Sequence, residues 1–462
     1  MEHYQAVIIG SGQGGTPLAK KLAQAGWKTA LIEKNLVGGT CVNVGCTPTK
    51  TMIASAKVAN TLAQAEKWGI EVNSFQVNLP KIIARKTQVV EKFRGGSQKG
   101  LENTANLSLI FGEASFVNQK QILIQLKTGG SQTITADKIF IDAGTRPAVP
   151  DIPGLQEVDY FTSTTLMESE QLPEHLVIIG GGYIGLEFGQ MYRRFGSQVT
   201  ILDHNDHFLD HEDEDIAAEV QTFLQDEGIQ IYTQAKTSKV VKNKEQISLT
   251  VNIASQETEI TCSHILLAAG RTPNTDTLNL QAAGVKTTAK GYIEVNNKLE
   301  TTTPHIYALG DITGEAKFTH ISYNDYVILY HNLLENKEET TTNRLVPYCM
   351  FTDPQVGRVG LSESDARKKK LNFKVAKLPM SQVARAIETG DTRGLIKAII
   401  DSNNGQILGA TVVGQEGGEI MSLLQMAMVG KVNYTILKEM ILAHPLYAEA
   451  LNNLFLTLDK SE

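Results

Sequence analysis

The chain has 462 residues, too many for one ordinary hydrophobic core, so two to four domains are expected. Its composition is globular, with 42% hydrophobic and 20% charged residues, and a net charge of −7 argues against nucleic-acid or anionic-membrane partners. No apolar run approaches the ~20 residues of a membrane span, and no basic leader with a long apolar stretch precedes Tyr4, so a cytoplasmic location without membrane contact is expected.

Tyr4–Ile9 is apolar and rich in branched residues, and reads as a strand. It runs into Gly10-Ser11-Gly12-Gln13-Gly14-Gly15, after which Thr16–Ala25 shows helical spacing, with Pro17 in the first turn and Gly26 as the stop. Trp27–Ile32 follows as a second strand closing on Glu33. The glycines at 10, 12 and 15 fit G-x-G-x-x-G: one for the tight turn, one for close backbone approach to a pyrophosphate, one for helix-on-strand packing. The helix start adds free N–H groups and a positive dipole end, and Glu33 stands at about the spacing of a ribose-binding acid.

Next comes Gly38-Gly39-Thr40-Cys41-Val42-Asn43-Val44-Gly45-Cys46-Thr47-Pro48-Thr49-Lys50, with a helix expected from Lys50 through Glu66. In a reducing compartment a close cysteine pair is catalytic or metal-binding rather than structural. Zinc needs further ligands at suitable spacing, and Cys262 and Cys349 are far away in sequence, each in an apolar strand as an expected inert thiol. A redox pair needs a lowered thiol pKa, which the positive end of the following helix would supply at Cys46.

A second copy of the glycine unit occupies Leu176–Asp203: a strand to Ile179, then Gly180, Gly182 and Gly185 in the same pattern, a helix to about Arg194, and a strand Val199–Leu202. Asp203 ends that strand at the offset Glu33 has in the first unit. Two such sites imply two dinucleotides, and a carboxylate at Asp203 favours NADH over NADPH by accepting from a 2′-hydroxyl and repelling a 2′-phosphate. Ala136–Gly144 and Cys262–Gly270 also match, each a strand ending in Ala-Gly. His204, His207 and His211 lie among Asp206, Asp210, Glu212, Asp213 and Asp215, which invites a metal reading; acids gathered at a helix start explain them more simply, and no metal site is expected. The Lys368–Lys370 run reads as a solvated helix end.

The cysteine motif resembles the active-site motif of the flavoprotein disulfide reductases, the family of dihydrolipoamide dehydrogenase, glutathione reductase and mercuric reductase, and the likeness extends over essentially the whole chain. The resemblance implies an α/β fold with two Rossmann-type domains, for FAD and NAD, and a C-terminal α+β dimerisation domain. Implied boundaries are 1–150 for the FAD domain, 151–274 for the NAD(P)H domain, 275–343 completing the FAD domain, and 344–462 for the interface domain. FAD is then held by Gly10, Gly12, Gly15, Glu33, Gly39, Thr40, Lys50, Gly310 and Asp311, with Gly112 and Ala114 at the adenine side. The nicotinamide cofactor falls to Gly180, Gly182, Gly185, Asp203 and Gly270. Cys46 resembles the thiol that contacts the flavin and Cys41 the interchange thiol, together forming a redox-active disulfide, while Lys50 and Glu187 resemble the ion pair beside flavin and nicotinamide.

His444-Pro445-Leu446-Tyr447-Ala448-Glu449 resembles the family's His-Pro-x-x-x-Glu signature, with His444 as acid–base and Glu449 orienting it, although the loop departs from the commoner ending. In the family this dyad serves the other subunit's site, which implies a homodimer. Phe351–Val356 and Thr47–Lys50 resemble the mercuric-reductase-like branch, and Phe318–Tyr326 its reactive-chlorine-resistance flavoproteins. Thr457–Glu462 carries no cysteine pair of the kind typical mercuric reductases have at their C-terminus. The implied activity passes electrons from NAD(P)H through flavin to Cys41–Cys46 and on to a small disulfide or a soft metal ion. Dihydrolipoamide dehydrogenase is the alternative, and a non-catalytic flavoprotein sensor is the alternative of another class.

Overall fold

The computed structural model describes residues 1–244 and 246–460; the sequence reading of the chain end at Ser461 and Glu462 lies outside the described residues. Its first sheet has six strands, with β1 (Glu2–Ile9) at the centre between β2 (Thr29–Glu33) and a long strand, Ser131–Ile141. All three run parallel, placing Ile8 beside Leu31 on one side and Phe140 on the other. Residues alternate between faces: Val7, Ile9, Ala30 and Ile32 join one core, whereas Ala6, Ile8 and Leu31 pack with Leu18 and Leu22 of the helix α1 (Gly15–Gln24) in another. A strand buried on both faces therefore reads as a continuous apolar run.

Element ends lie within five residues of the sequence reading, and one difference of consequence is at the cysteines. There α3 spans Cys46–Ala63 and begins at Cys46 itself, four residues before Lys50. Pro48 allows this, because a first-turn residue has no intrahelical N–H bond to lose. The preceding short helix α2 covers Gly39–Asn43, so both cysteines are helical and adjoin one turn.

The second glycine unit forms a parallel five-stranded sheet in which His175–Ile179 lies between Gln198–Leu202 and His264–Leu267. An antiparallel three-stranded meander over 235–262 is appended to it. The C-terminal part is an antiparallel five-stranded sheet covered by the helix Gly417–Val429. Buried ion pairs clamp this part to the second unit. Arg194 bonds Glu227 at 2.7 Å and Asp353 at 2.8 Å, and Lys397 reaches Asp213, Asp215 and Glu363.

That last group adds to the reading of the acidic stretch as a helix start. Glu214 and Asp215 do occupy the first turn of the helix Glu214–Asp226. Asp213 is buried, however, and accepts from the backbone N–H groups of Glu363 and Ser364. Glu212 bonds Tyr348 and Arg358, and burial pushes its carboxyl up to about 7. Lys368–Lys370, by contrast, is exposed at the end of the helix Glu363–Lys368. No described helix is long and apolar enough to cross a membrane.

Candidate active site

The two glycine turns close by the same backbone device. Gly10 has φ +103° and Gly180 φ +120°, and a side chain at either would strike a carbonyl: Asp142 O at 2.2 Å or Ala268 O at 2.4 Å. Gly15 and Gly185 each let the helix press onto the turn, with methyl groups there falling 2.4 Å and 2.2 Å from Gly10 O and Gly180 O. At the middle position the units part. Gly12 packs against the Asp142 carboxyl, while Gly182 faces open space and its neighbour Gly181 packs on Asp203.

A single large cavity of about 1460 Å³ runs from the first glycine turn to the cysteines and on to the C-terminal part. Gly10, Gly12 and Glu33 line it at one end, with Gly112 and Ala114 beside them. Gly39, Thr40, Cys41, Cys46, Lys50 and Glu187 form its middle, and Asp311 the adjoining wall. Glu33 is buried and accepts from the N–H and hydroxyl of Ser11 and from Asn35 N–H. Asp311 accepts from the Thr145 hydroxyl at 2.9 Å and lies 3.8 Å from Arg271. Gly310 holds φ +72° behind it, and Gly15 underlies the turn.

Cys41 and Cys46 both stand as free thiols. The two thiols interact, and their pKa values move in opposite directions. The Cys41 hydrogen bond, the Lys50 ammonium and the Thr319 hydroxyl lower Cys46 to about 6, while Cys46 and burial push Cys41 far up. Of the two, Cys46 is the one favoured as thiolate, at the positive end of an eighteen-residue helix. The Thr319 hydroxyl is 3.6 Å from Cys46 Sγ.

Lys50 Nζ meets Glu187 Oε2 at 2.7 Å, and the other oxygen of Glu187 accepts from Phe351 N–H at 2.8 Å. Glu187 is only 3% exposed, so one carboxylate ties together the cysteine helix, the second glycine helix and the C-terminal part. Tyr183, from the second turn, stacks on Phe318 with ring centroids 5.9 Å apart, and Phe318 stacks on Tyr348 at 5.7 Å. Asp203 is buried at the end of its strand, with burial raising its carboxyl, and His204 Nδ1 is 3.8 Å away. Gly180, Gly182, Gly185, Asp203 and Gly270 do not line the cavity; they sit beyond Tyr183 and Ile184, which do.

His444 Nδ1 lies 2.9 Å from Glu449 Oε2, so the dyad is formed. The histidine is 65% exposed and away from this chain's own cavity. Cys349 lies in a short strand as expected, its thiol pushed up to about 12 by burial, and it also lines the same cavity as Cys41 and Cys46. Cys262 is buried as expected. Sequence reasoning also missed Thr319, Tyr348 and Asp142. Thr319 lies within the Phe318–Tyr326 likeness, and Asp142 is the residue that breaks the match between the two Ala-Gly strands.

Residues 4–325 match the family model for pyridine nucleotide-disulphide oxidoreductases, and residues 346–455 match that family's dimerisation domain. The chain belongs to the pyridine nucleotide-disulphide oxidoreductases. Within this family it is 38% identical over 459 residues to the probable pyridine nucleotide-disulfide oxidoreductase RclA of Escherichia coli strain K12, covering 98% of this chain and 99% of that one. It is 34% identical to a mercuric reductase of Staphylococcus aureus, over 99% of this chain and 83% of the other. The solved Cu(II) complex of the HOCl-induced flavoprotein disulfide reductase RclA from Escherichia coli superposes with a TM-score of 0.91 at 36% identity, over 99% of this chain and 100% of that one. The chain is accordingly an α/β flavoprotein disulfide reductase of the RclA and mercuric reductase type, from an FAD-dependent family that uses a pyridine nucleotide.

The first glycine turn fits that cofactor. A methyl at Gly39 would lie 2.8 Å from Gly12 Cα, so the two segments form a cradle with no side chains, open to the cavity.

Proposed function

We propose that this chain takes electrons from NADH and delivers them through Cys41 and Cys46 to a soft metal ion or a small disulfide. The observation that carries the reading is the polarised cysteine pair sharing one cavity with the Lys50–Glu187 ion pair and the glycine cradle. Residues 1–150 and 275–343 would form the flavin domain, 151–274 the nucleotide domain and 344–462 the interface domain of a homodimer. Flavin, when bound, supplies two-electron transfer between nicotinamide and cysteine pair. Gly10, Gly12, Gly15, Glu33, Gly39, Thr40, Lys50, Gly310 and Asp311 would hold it, with Gly112 and Ala114 at the adenine side. Gly180, Gly182, Gly185, Asp203 and Gly270 would hold the nucleotide, Asp203 selecting a free ribose hydroxyl.

With a disulfide acceptor, Cys41 sulfur attacks one acceptor sulfur and releases the other as a thiolate. Cys46 thiolate then attacks Cys41 sulfur, closing the Cys41–Cys46 disulfide and releasing the second acceptor thiolate. Cys41 must first lose its proton, and its high pKa calls for a base. His444 of the partner subunit, oriented by Glu449, would take that proton and return it to a leaving thiolate. The exposure of His444 away from its own cavity supports this arrangement. With a soft ion as substrate, both sulfurs serve as ligands, as their softness favours. The solved relative is a Cu(II) complex, which supports the metal branch over lipoamide.

The test is NADH consumption by the purified yellow protein with lipoamide, glutathione disulfide, Hg(II) or Cu(II) offered in parallel. Turnover with metal ions and negligible lipoamide activity is expected. Fast lipoamide turnover abolished by His444→Ala would instead make it a dihydrolipoamide dehydrogenase.

A further inference from the structure

The carboxyl of Asp142 has no part in the chemistry above, yet it sits at the junction of both turns assigned to flavin. It is 6% exposed and lines the cavity. Its Oδ2 accepts from Gly15 N–H at 2.7 Å, at the start of α1. A methyl on Gly12 would fall 2.5 Å from that oxygen, and one on Gly310 would fall 2.9 Å from Oδ1. One carboxyl therefore fills the space between the two glycine turns.

The second unit shows that a glycine turn does not need it. Ala268 stands at the matching place, and its carbonyl closes the Gly180 turn as the Asp142 carbonyl closes the Gly10 turn. What the first unit has and the second lacks is a further turn, Gly310-Asp311, from another part of the chain.

We propose that Asp142 is a positioning residue for the flavin diphosphate, its carboxyl bracing the Gly10–Gly15 turn against the Gly310 turn. This rests on the reading of the first turn as the flavin site. The groups around it are mostly acidic: Glu33 at the end of β2, Asp311 near Arg271, and Asp325, which is paired with Arg344 and accepts from Gly310 N–H. Burial first, and then these acids, hold the Asp142 carboxyl well above the usual carboxylate range, against the pull of the Gly15 N–H. A neutral carboxyl accepts that N–H without adding charge where a dianionic diphosphate must lie; an ionised one repels it.

Flavin binding and protonation of Asp142 are thereby coupled, each favouring the other. The sign follows: bound diphosphate raises the pKa further, so above the flavin-free value, affinity falls as pH rises, by up to about tenfold per pH unit.

The experiment follows release of FAD from the purified holoprotein by the appearance of free-flavin fluorescence, over a pH series, for wild type, Asp142→Asn and Asp142→Ala. The Ala variant is expected to release flavin roughly five- to tenfold faster than wild type at neutral pH. The Asn variant, neutral and of the same shape, is expected to stay within about threefold of wild type and to lack the acceleration wild type shows toward alkaline pH. A purely structural role would not remove that pH dependence. Ala releasing flavin no faster than wild type overturns the proposal, and so does an Asn variant with the wild-type alkaline limb. Should the Ala variant not fold, the comparison of Asn with wild type decides. A wild-type chain that never binds flavin overturns the reading of the cavity and this proposal with it.

Discussion

The two glycine units share a strand, a turn with positive φ at its first glycine, and a helix pressed onto that turn, yet they surround different amounts of structure. The first opens on the large cavity and is completed by segments far away in the chain: the Gly39 cradle, the long strand ending in Asp142, and the Gly310-Asp311 turn. The second stands apart from that cavity, with Gly182 facing open space and Asp203 at its edge. A site walled in from several segments suits a cofactor that stays, and a site open on one side suits one that comes and goes. Glu187 joins them: its helix starts at the second turn, and its carboxylate holds Lys50 on the cysteine helix.

That contrast can be broken at several points. The largest effect is expected at the cysteines, which have no counterpart in the second unit. Cys46→Ser should lower acceptor-dependent NADH oxidation by on the order of 10³-fold, while NADH still bleaches the flavin in a stopped-flow trace. Loss of bleaching as well would mean the pair shapes the nucleotide site and is not the exit for electrons.

At the second unit, Asp203→Asn should raise the kcat/KM ratio of NADPH to NADH by roughly tenfold or more, since the 2′-phosphate no longer meets a carboxylate. An unchanged ratio would remove Asp203 from nucleotide choice. The thiolate offers a pH reading. Cys46 is lowered from its ordinary value to about 6, so its thiolate persists above that pH and is lost below it. Iodoacetamide modification of the reduced protein should fall about tenfold per pH unit below about 6. Lys50→Met should move that limb upward by removing a positive neighbour. A limb that stays where it was would leave the Cys41 and Thr319 hydrogen bonds as the causes.

The smallest effect separates the glycines themselves. Gly182→Ala meets no atom within 4 Å and has φ −74°, so the melting temperature should hold within about 1 °C while KM for NADH rises several-fold. Gly12→Ala strikes the Asp142 carboxyl at 2.5 Å and should cost roughly 1–3 kcal/mol of stability, read by denaturant titration. Equal stability losses in both variants would mean the second turn is as closed as the first.

Much of this was legible in the chain because local rules govern it. The glycine spacings mark turns where a Cβ would meet a carbonyl, and apolar runs such as Tyr4–Ile9 mark strands buried on both faces. The cysteine pair and the His444–Glu449 dyad are each contained in one short stretch, and the structure bonds Nδ1 of His444 to that carboxylate. The start of α3 lies four residues before Lys50 because Pro48 is accommodated in the helix's first turn.

Other features had no local signal. Acids from 212 to 215 look like any solvated helix start until Arg358 and Lys397, more than a hundred residues later, are folded against them. Cys349 looks isolated until the C-terminal sheet closes the cavity on the cysteine helix.

By itself, then, the sequence determined the two glycine turns, the close cysteine pair and the family, because each depends on residues close together along the chain. Only the tertiary structure decided which groups face one another across the cavity: Thr319 beside Cys46, Glu187 on Lys50 and Phe351, and Asp142 between two turns. Those partners come from separate parts of the chain, and their thiol and carboxyl pKa values follow from burial and neighbouring charge, which exist only once the segments are packed together.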